Sequence, residues 1–334
     1  MKKASKILCL VLGSLMLFSA CGNNSGMNTP QDRNVSNSQY ESVAPSTQEI
    51  IGTKNDISKE DQENPNALVL KGKDTGTADT LTGYEKLPAV TLTVSDPNNS
   101  KNLSTKKVSH SHGPAANGQP HPTVLEFQKN FDKYNAFTID NNGGKVLYLT
   151  FDCGYEYNNL TANILDTLKE KNVPAAFFCT LHHIKDQPEL ITRMVKEGHI
   201  VGNHSTNHPS FAEIDRTTMA KEIEECDNYL RENYGYSAKF FRFPAGEYND
   251  NALDLINSIG FVSVFWSVAY ADWDVNASKG KDYTVSTIMD RIHPGAVILL
   301  HSVSQDNADA LGEIIDKARQ EGYEFKSLDE YKFN

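Results

Sequence analysis

The feature that most constrains the fold is a regular alternation of apolar runs and helical stretches that starts near residue 120. Apolar runs predict seven strands, over residues 145–151, 173–179, 199–202, 239–242, 261–266, 296–300 and 323–326. Strands that alternate with helices form parallel sheets, so the sequence predicts an α/β fold. Polar residues directly after several strands favour a distorted (β/α) barrel of seven or eight strands over an open sheet, because barrel sites lie at those strand ends.

The segments between the predicted strands have helical periodicity. A lead-in helix is indicated where Val124, Phe127, Phe131 and Tyr134 recur at helical spacing. Further helices are predicted over residues 162–171, 188–197, 217–234, 251–259, 285–292 and 308–320.

The first residues are typical of an export signal. Basic residues at 2–6 precede an apolar run over residues 7–20 that is too short to span a bilayer. Small residues before Cys21 resemble a bacterial lipobox, so residues 1–20 are predicted to be a lipoprotein signal peptide and Cys21 the lipid-modified mature N-terminus. An ordinary signal peptide with an incidental cysteine is the alternative. The first interpretation places the protein outside the cell, anchored to the outer face of the membrane.

The segment that follows has a different composition. Residues 21–65 are rich in Asn, Ser, Gln, Asp and Thr, which predicts a flexible, disordered tether. Residues 66–108 are ambiguous, since apolar runs at 67–70 and 90–94 fit either short strands or a linker. The net charge of −11, with no basic run after the first residues, argues against a nucleic-acid partner.

Several polar side chains fall at the ends of predicted strands. Asp152 follows the first strand, which would place a carboxylate at the rim of the barrel. His204 and His208 follow the third strand, and their spacing predicts two imidazoles on one side of a helical turn, suited to a zinc-like ion. A turn or capping role for Asp152, and two surface histidines, are the structural alternatives.

Three more signals follow later strands. Arg242 ends the fourth strand among aromatic residues and requires a carboxylate partner. Asp272 stands beside Trp273, and His301 ends the sixth strand. The structural alternative for Arg242 is an ion pair without a catalytic role, and for His301 it is a structural histidine. Because five polar signals of this kind follow five strands, a common site is favoured.

Taken in order, these segments resemble the five motifs of the polysaccharide deacetylase family, the NodB-like carbohydrate esterases. The segments are Thr150-Phe151-Asp152-Cys153, His204-Ser205-Thr206-Asn207-His208, Arg242-Phe243-Pro244-Ala245-Gly246, Asp272-Trp273 and Leu299-Leu300-His301. Residues 151–156, 265–269 and 301–308 are more narrowly similar to the muramic-δ-lactam de-N-acetylases of spore-forming bacteria.

The resemblance implies that residues 109–334 form a catalytic domain, a hydrolase of linear amides that uses a divalent metal, with zinc the favoured ion. It implies that His204 and His208 bind the metal, and that Asp152 is the general base and His301 the general acid. It also implies that Arg242 orients Asp152 and that Asp272 orients His301. The backbone N–H of Ala245 would donate to the oxyanion, and Trp273 and Leu299 would form a slot for the acetyl methyl group.

Two positions depart from the family pattern. Cys153 stands where the family usually has an aspartate that binds the metal. Three roles are therefore open for Cys153: a thiolate ligand in a Cys-His-His site, a bystander that does not bind the metal, or a redox partner of Cys179. The first two are favoured over the third. Ala269 stands where many relatives carry an aspartate paired with the arginine, so Arg242 is expected to rely more on Asp152.

The sequence leaves three functions open. The first is removal of the N-acetyl group from muramic acid in peptidoglycan, a step toward muramic-δ-lactam in the spore cortex, which would place the protein in the forespore or spore envelope. The second is deacetylation of N-acetylglucosamine in peptidoglycan or in chitooligosaccharides. The third, which Cys153 motivates, is a non-catalytic wall-binding lipoprotein.

Overall fold

The computed structural model describes residues 67–142 and 144–333. The predicted signal peptide, Cys21 and the predicted tether therefore lie outside the described residues. Within the described ranges, no helix combines the length and the apolar character needed to cross a membrane.

The described chain forms eleven strands and eight α-helices. The strands are β1 (Val69–Lys71), β2 (Val108–Ser109), β3 (Val146–Cys153), β4 (Ala176–Cys179), β5 (Ile200–Asn203), β6 (Tyr236–Ala238), β7 (Phe240–Phe241), β8 (Glu247–Tyr248), β9 (Val262–Ser263), β10 (Ala296–His301) and β11 (Glu324–Phe325). The helices are α1 (Pro122–Phe131), α2 (Leu160–Lys171), α3 (Leu181–Asp186), α4 (Pro188–Lys196), α5 (Arg216–Tyr234), α6 (Asp250–Ser258), α7 (Lys281–Arg291) and α8 (Gln305–Gln320).

All seven predicted strands belong to one parallel sheet, in the order β10-β3-β4-β5-β7-β9, with β11 also paired to β3. The sheet curls into a barrel with the helices around it, which confirms the predicted α/β barrel. The predicted lead-in helix is also present, as α1. β3 is buried at every position, as expected for a strand covered on both faces.

The barrel closes between β9 and β10 through single bridges instead of a continuous ladder. Phe137 pairs with Val264, Ile139 with Ala296, and Val268 with Ile298. This seam explains why the strand predicted over residues 261–266 is reduced to β9. The Phe265 N–H donates to the Phe137 carbonyl, so this part of the chain pairs with the seam segment and leaves the regular ladder.

The ambiguous segment before residue 109 runs as a strap along α5. β1 pairs antiparallel with β6, which directly follows that helix, and β2 pairs with β8. Residues 90–94 form no strand, yet the Asn228 side chain on α5 binds both the N–H and the carbonyl of Val90, each at 2.8 Å. Leu92 donates to the Glu224 carboxylate on the same helix.

We predict that Gly295→Ala destabilises the fold strongly, because Gly295 fixes the seam. Its φ is +74°, and a Cβ there would lie 1.9 Å from the Asp140 carbonyl oxygen. The expected loss in the free energy of unfolding is on the order of 3 kcal/mol, from overlap added to left-handed strain. Denaturant-induced equilibrium unfolding would measure it.

Gly260→Ala is the matched control, since its φ is +83° and no atom lies within 4 Å of the added Cβ. This variant should lose only about 1–2 kcal/mol, from the left-handed backbone alone. Equal losses in the two variants would contradict the assigned role of the seam.

Candidate active site

The carboxyl ends of the parallel strands open onto a pocket of about 1190 Å³. Seven of the predicted site residues line it: Asp152, Ala245, His204, His208, Trp273, Leu299 and His301. Two others, Arg242 and Asp272, are buried behind the pocket wall and bind residues that line it. The structure thus brings together every predicted site residue of the described chain except Cys153.

Asp152 and His301 are adjacent because the sheet register pairs them. They are direct partners at the ends of β3 and β10, and paired residues on neighbouring strands face the same side of the sheet. The Thr150 hydroxyl donates to the Ile298 carbonyl at 2.7 Å. This second contact joins β3 and β10 below the level of Asp152 and His301. Strand register therefore places a carboxylate and an imidazole beside each other at the pocket.

Arg242 is fully buried and binds Asp152. Its Nη1 donates to Asp152 Oδ1 at 2.9 Å, while Nε and Nη2 donate to the carbonyls of Val264 and Phe265. Its guanidinium lies 4.2 Å from the centre of the Phe178 ring. The expected reliance of Arg242 on Asp152 agrees with this geometry.

The charge of Asp152 follows from these neighbours. Burial works to raise the pKa of Asp152, but the positive charge of Arg242 and the hydrogen bond from its guanidinium outweigh burial, and the pKa is lowered. The carboxylate is therefore ionised at neutral pH. Oδ1 is occupied by Arg242, and Oδ2 faces His204 Nε2 at 3.7 Å.

His204 and His208 lie close together, but the prediction of a helical turn is wrong. Residues 204–210 form an irregular loop in which Ser205 and His208 have φ values of +68° and +56°. The two imidazole rings nevertheless lie 4.8 Å apart, nearly perpendicular to each other.

The loop is irregular because its backbone N–H groups bind side chains instead of helical carbonyls. Thr206 and Asn207 both donate to Oε2 of Glu222 on α5, at 3.0 and 2.7 Å. The His208 N–H donates to the Ser205 hydroxyl at 2.9 Å. Sequence reasoning missed Glu222, although it lies in the acidic first half of the predicted helix. A buried carboxylate on one helix thus holds the loop that carries both histidines.

The hydrogen bonds of His204 fix its protonation. Nδ1 lies 2.9 Å from the Arg242 carbonyl, which can only accept, so Nδ1 carries the hydrogen and Nε2 keeps its lone pair. Burial lowers the pKa of His204 to about 4, and it also lowers the pKa of His208. Both imidazoles are neutral at pH 7, as metal binding requires.

These residues fit a divalent cation. The lone pair of His204 Nε2 faces the lone pairs of Asp152 Oδ2 without a proton between them, an arrangement that a cation would stabilise. His208 supplies a second imidazole that lines the same pocket, with its ring centre 4.8 Å from that of His204. Two neutral imidazoles and one ionised carboxylate are ligands that zinc accepts.

Cys153 does not join the two histidines, so the Cys-His-His site predicted with His204 and His208 does not form. Successive side chains of a strand face opposite sides, and because Asp152 faces the pocket, Cys153 points away from it. The Cys153 thiol lies instead beside Cys179 and His183. Both thiols are free, so the structure does not contain the alternative redox pair as a disulfide.

His301 is held by Asp272 and Asn307. Its Nδ1 lies 2.7 Å from Asp272 Oδ1, and its backbone N–H donates to Oδ2 at 2.8 Å. The Asn307 amide donates to Asp272 Oδ2 at 2.6 Å and to the His301 carbonyl at 3.0 Å. Sequence reasoning missed Asn307, whose only signal was its place in the segment that follows His301.

The environment makes His301 more basic than an ordinary histidine. Burial works to lower its pKa, but the hydrogen bond and charge of Asp272, with the charge of Asp152, outweigh it, and the pKa is raised. With Nδ1 directed at Asp272, the other ring nitrogen is the one available to exchange a proton in the pocket.

The remaining predicted residues form the walls. Ala245 has φ +53° and ψ +12°, a left-handed conformation that costs a non-glycine residue about 1–2 kcal/mol and is common at functional sites. Leu299 is buried, whereas Trp273 is 60% exposed, with its ring centre 6.0 Å from that of His301. Tyr155 and the segment 110–115, neither of which was predicted, complete the rim.

Comparison with known proteins shows that this chain is similar to carbohydrate deacetylases. Residues 139–264 match the family model described as polysaccharide deacetylase. The chain is 42% identical over 224 residues to the peptidoglycan-N-acetylmuramic acid deacetylase PdaA of Bacillus subtilis, covering 66% of this chain and 83% of that one. It is 34% identical over 197 residues to a peptidoglycan-N-acetylglucosamine deacetylase of Bacillus cereus, covering 58% and 70%.

A solved structure supports the same relationship. The structure of Bacillus subtilis PdaA, described as a family 4 carbohydrate esterase, superposes with a TM-score of 0.65 at 38% identity. The match covers 68% of this chain and 97% of that one.

We predict that Asp272→Asn lowers the pKa of His301, because the variant loses the negative charge that stabilises the imidazolium. The expected decrease is about one unit or more. Histidine NMR titration of the full chain would measure it. Asp274→Asn is the control, since Asp274 lies exposed on the same segment and binds the Asn276 N–H. An unchanged pKa in Asp272→Asn would contradict the assigned cause.

Proposed function

From the premise that this chain belongs to the polysaccharide deacetylase family, a family of hydrolases, we propose that it removes the N-acetyl group from muramic acid in peptidoglycan. One observation carries the proposal: Asp152, His204, His208 and His301 face a single pocket, in a chain that covers most of a relative named for this reaction. The products would be acetate and a free amino sugar.

We propose that the reaction depends on a divalent cation, preferably zinc, held by His204 and His208. When bound there, it would supply a Lewis acid that polarises the amide carbonyl and lowers the pKa of a water molecule. The hydrogen bond that His204 Nδ1 donates to the Arg242 carbonyl supports this assignment, since it leaves the lone pair of Nε2 directed toward Asp152 and the pocket.

Asp152 is proposed as the general base. It is ionised because Arg242 compensates the cost of its burial, and Oδ2 is not engaged by the guanidinium. A carboxylate held in this way accepts a proton from the attacking water without first breaking its bond to Arg242. Arg242 is the positioning residue for Asp152.

His301 is proposed as the general acid. An amine leaves a tetrahedral intermediate only after its nitrogen is protonated, so the reaction needs a proton donor opposite the base. The raised pKa keeps His301 protonated at a higher pH than an ordinary histidine. Asp272 fixes the ring with Nδ1 directed away from the substrate and stabilises the imidazolium.

The pocket walls are assigned to the rest of the acetamide group. We propose that the backbone N–H of Ala245 donates to the developing oxyanion, in line with its position in the lining and its strained backbone. Leu299 and Trp273 would enclose the acetyl methyl group, since both contribute apolar surface beside His301.

The product amine explains a proposed role in spore-cortex maturation. A free amine on muramic acid can attack the carboxyl carbon of the lactyl group of the same sugar, with loss of water, to close a six-membered lactam. The segments 151–156, 265–269 and 301–308 support this more specific function through their similarity to δ-lactam-forming enzymes.

The experiment uses peptide-free glycan strands with the full chain and added zinc. We expect mass spectrometry to show loss of acetyl groups from muramic acid residues, and chelator treatment to abolish the activity. His301→Gln should lower kcat by about 10²–10⁴-fold with a smaller effect on KM. Loss of acetyl groups from N-acetylglucosamine alone would favour the second candidate function, the one named for the Bacillus cereus relative.

The role in the cortex has its own test. Spores of a strain that lacks the gene should contain no muramic-δ-lactam in a muropeptide analysis by mass spectrometry. Normal lactam levels would contradict the proposed cortex function. An Asp152→Asn variant that still supports the full function of the protein in the cell would contradict the catalytic role of the pocket and favour the non-catalytic wall-binding lipoprotein.

We also propose that the protein is exported and anchored to the outer face of the membrane through lipid on Cys21, as the N-terminal sequence indicates. Cys21→Ala should abolish incorporation of a labelled fatty acid and shift the protein from the membrane fraction to the soluble fraction. Cys9→Ala, within the predicted signal peptide, is the control and should retain the label. Labelling of Cys21→Ala would contradict the lipid anchor.

A further inference from the structure

Outside the pocket, the described chain contains a second cluster of potential metal ligands. Cys153 at the end of β3, Cys179 at the end of β4 and His183 on α3 place one ligand atom each within 4.8 Å of one another. Each residue is fully buried. The register of the sheet creates the pair of thiols, since Cys153 and Cys179 are direct partners on neighbouring parallel strands.

His183 is the residue that most needs an explanation. Neither of its ring nitrogens has a hydrogen-bond partner, although the side chain is completely buried. Buried polar atoms are nearly always paired, and leaving one unpaired costs about 1–3 kcal/mol. His183 is the only histidine in the described ranges with both nitrogens buried and unpaired. An ion bound beside the two thiols would give one of the two His183 ring nitrogens a partner.

We propose that Cys153, Cys179 and His183 bind a zinc ion that is distinct from the catalytic site and has a structural role. Two thiolates and a neutral imidazole would give a zinc complex with no net charge, which a fully buried position can accept without a large cost of desolvation. The two thiol protons would leave to solvent when the ion binds. A main-chain oxygen or a water molecule would complete the tetrahedron.

The position of the cluster defines its role. Cys153 directly follows Asp152, and Cys179 is separated from His183 only by the start of α3. The ion would therefore link β3, β4 and α3 directly behind the carboxylate of the pocket. A disulfide between the two cysteines would leave His183 without any partner, so the metal accounts for more of the observed geometry.

Complete burial predicts how such an ion exchanges. A cation at the pocket is open to a chelator in solution, whereas an ion enclosed by these three side chains can leave only when the chain opens. We expect the full chain, expressed with zinc and dialysed against a chelator, to retain about one equivalent of zinc that is released only in guanidinium chloride. Elemental mass spectrometry before and after unfolding would measure it.

Variants separate this ion from the catalytic one. Cys179→Ser and His183→Ala should lose the chelator-resistant zinc, whereas His204→Ala should retain it. Cys226→Ser is the matched control, since Cys226 is equally buried on α5 and its thiol lies 3.9 Å from the Cys179 carbonyl, outside the cluster. Loss of the resistant zinc in Cys226→Ser to the same extent would overturn the proposal.

A measurement on the unmodified chain decides the question if the variants do not fold. Refolding with cobalt in place of zinc should give a thiolate-to-cobalt charge-transfer band in the near ultraviolet that persists when the pocket is stripped by chelator. Absence of this band, absence of resistant zinc, or a Cys153–Cys179 disulfide in the peptide map would each overturn the proposal. None of these readouts depends on deacetylase activity.

Discussion

The buried ion pair between Arg242 and Asp152 is the interaction on which the rest of the site depends. Removing one partner from such a pair costs about 3–5 kcal/mol, because the other charge remains in a region of low polarity. Arg242 also holds two carbonyls near the barrel seam through its other nitrogens, while its own carbonyl binds His204. One residue thus determines the ionisation of the carboxylate and the tautomer of the neighbouring imidazole.

The backbone around the pocket is held away from its preferred conformations. Ser205, His208 and Ala245 all adopt positive φ values, which are unfavourable for residues with a Cβ. Glu222 offsets the strain at Ser205 and His208 by accepting hydrogen bonds from the backbone N–H groups that lie between these two residues. The strained loop is therefore stabilised from α5, an element that does not itself line the pocket.

The sequence predicted the seven parallel strands and the residues at their ends, because apolar runs and strand-end polar residues are local signals. It did not predict the conformation of the histidine loop, since the partners of that backbone come from Glu222, distant in sequence. It left Cys153 as either a metal ligand or a bystander, because the family motif has a ligand there, whereas the alternation of side chains along β3 turns the thiol away from the pocket. Asn307 was missed for a similar reason, since only the folded chain brings it to Asp272.

The strap along α5 has a practical consequence for anyone who excises the barrel. A polypeptide that begins at residue 109 would leave Glu224 and Asn228 without their main-chain partners from residues 90–92, and Arg231 without the Pro88 carbonyl. These contacts lie on the same helix that presents Glu222 to the histidine loop. A chain cut at residue 109 would therefore lose contacts that hold α5, the helix whose Glu222 supports the loop of His204 and His208. Low activity of such a truncated protein would not measure the activity of the whole chain.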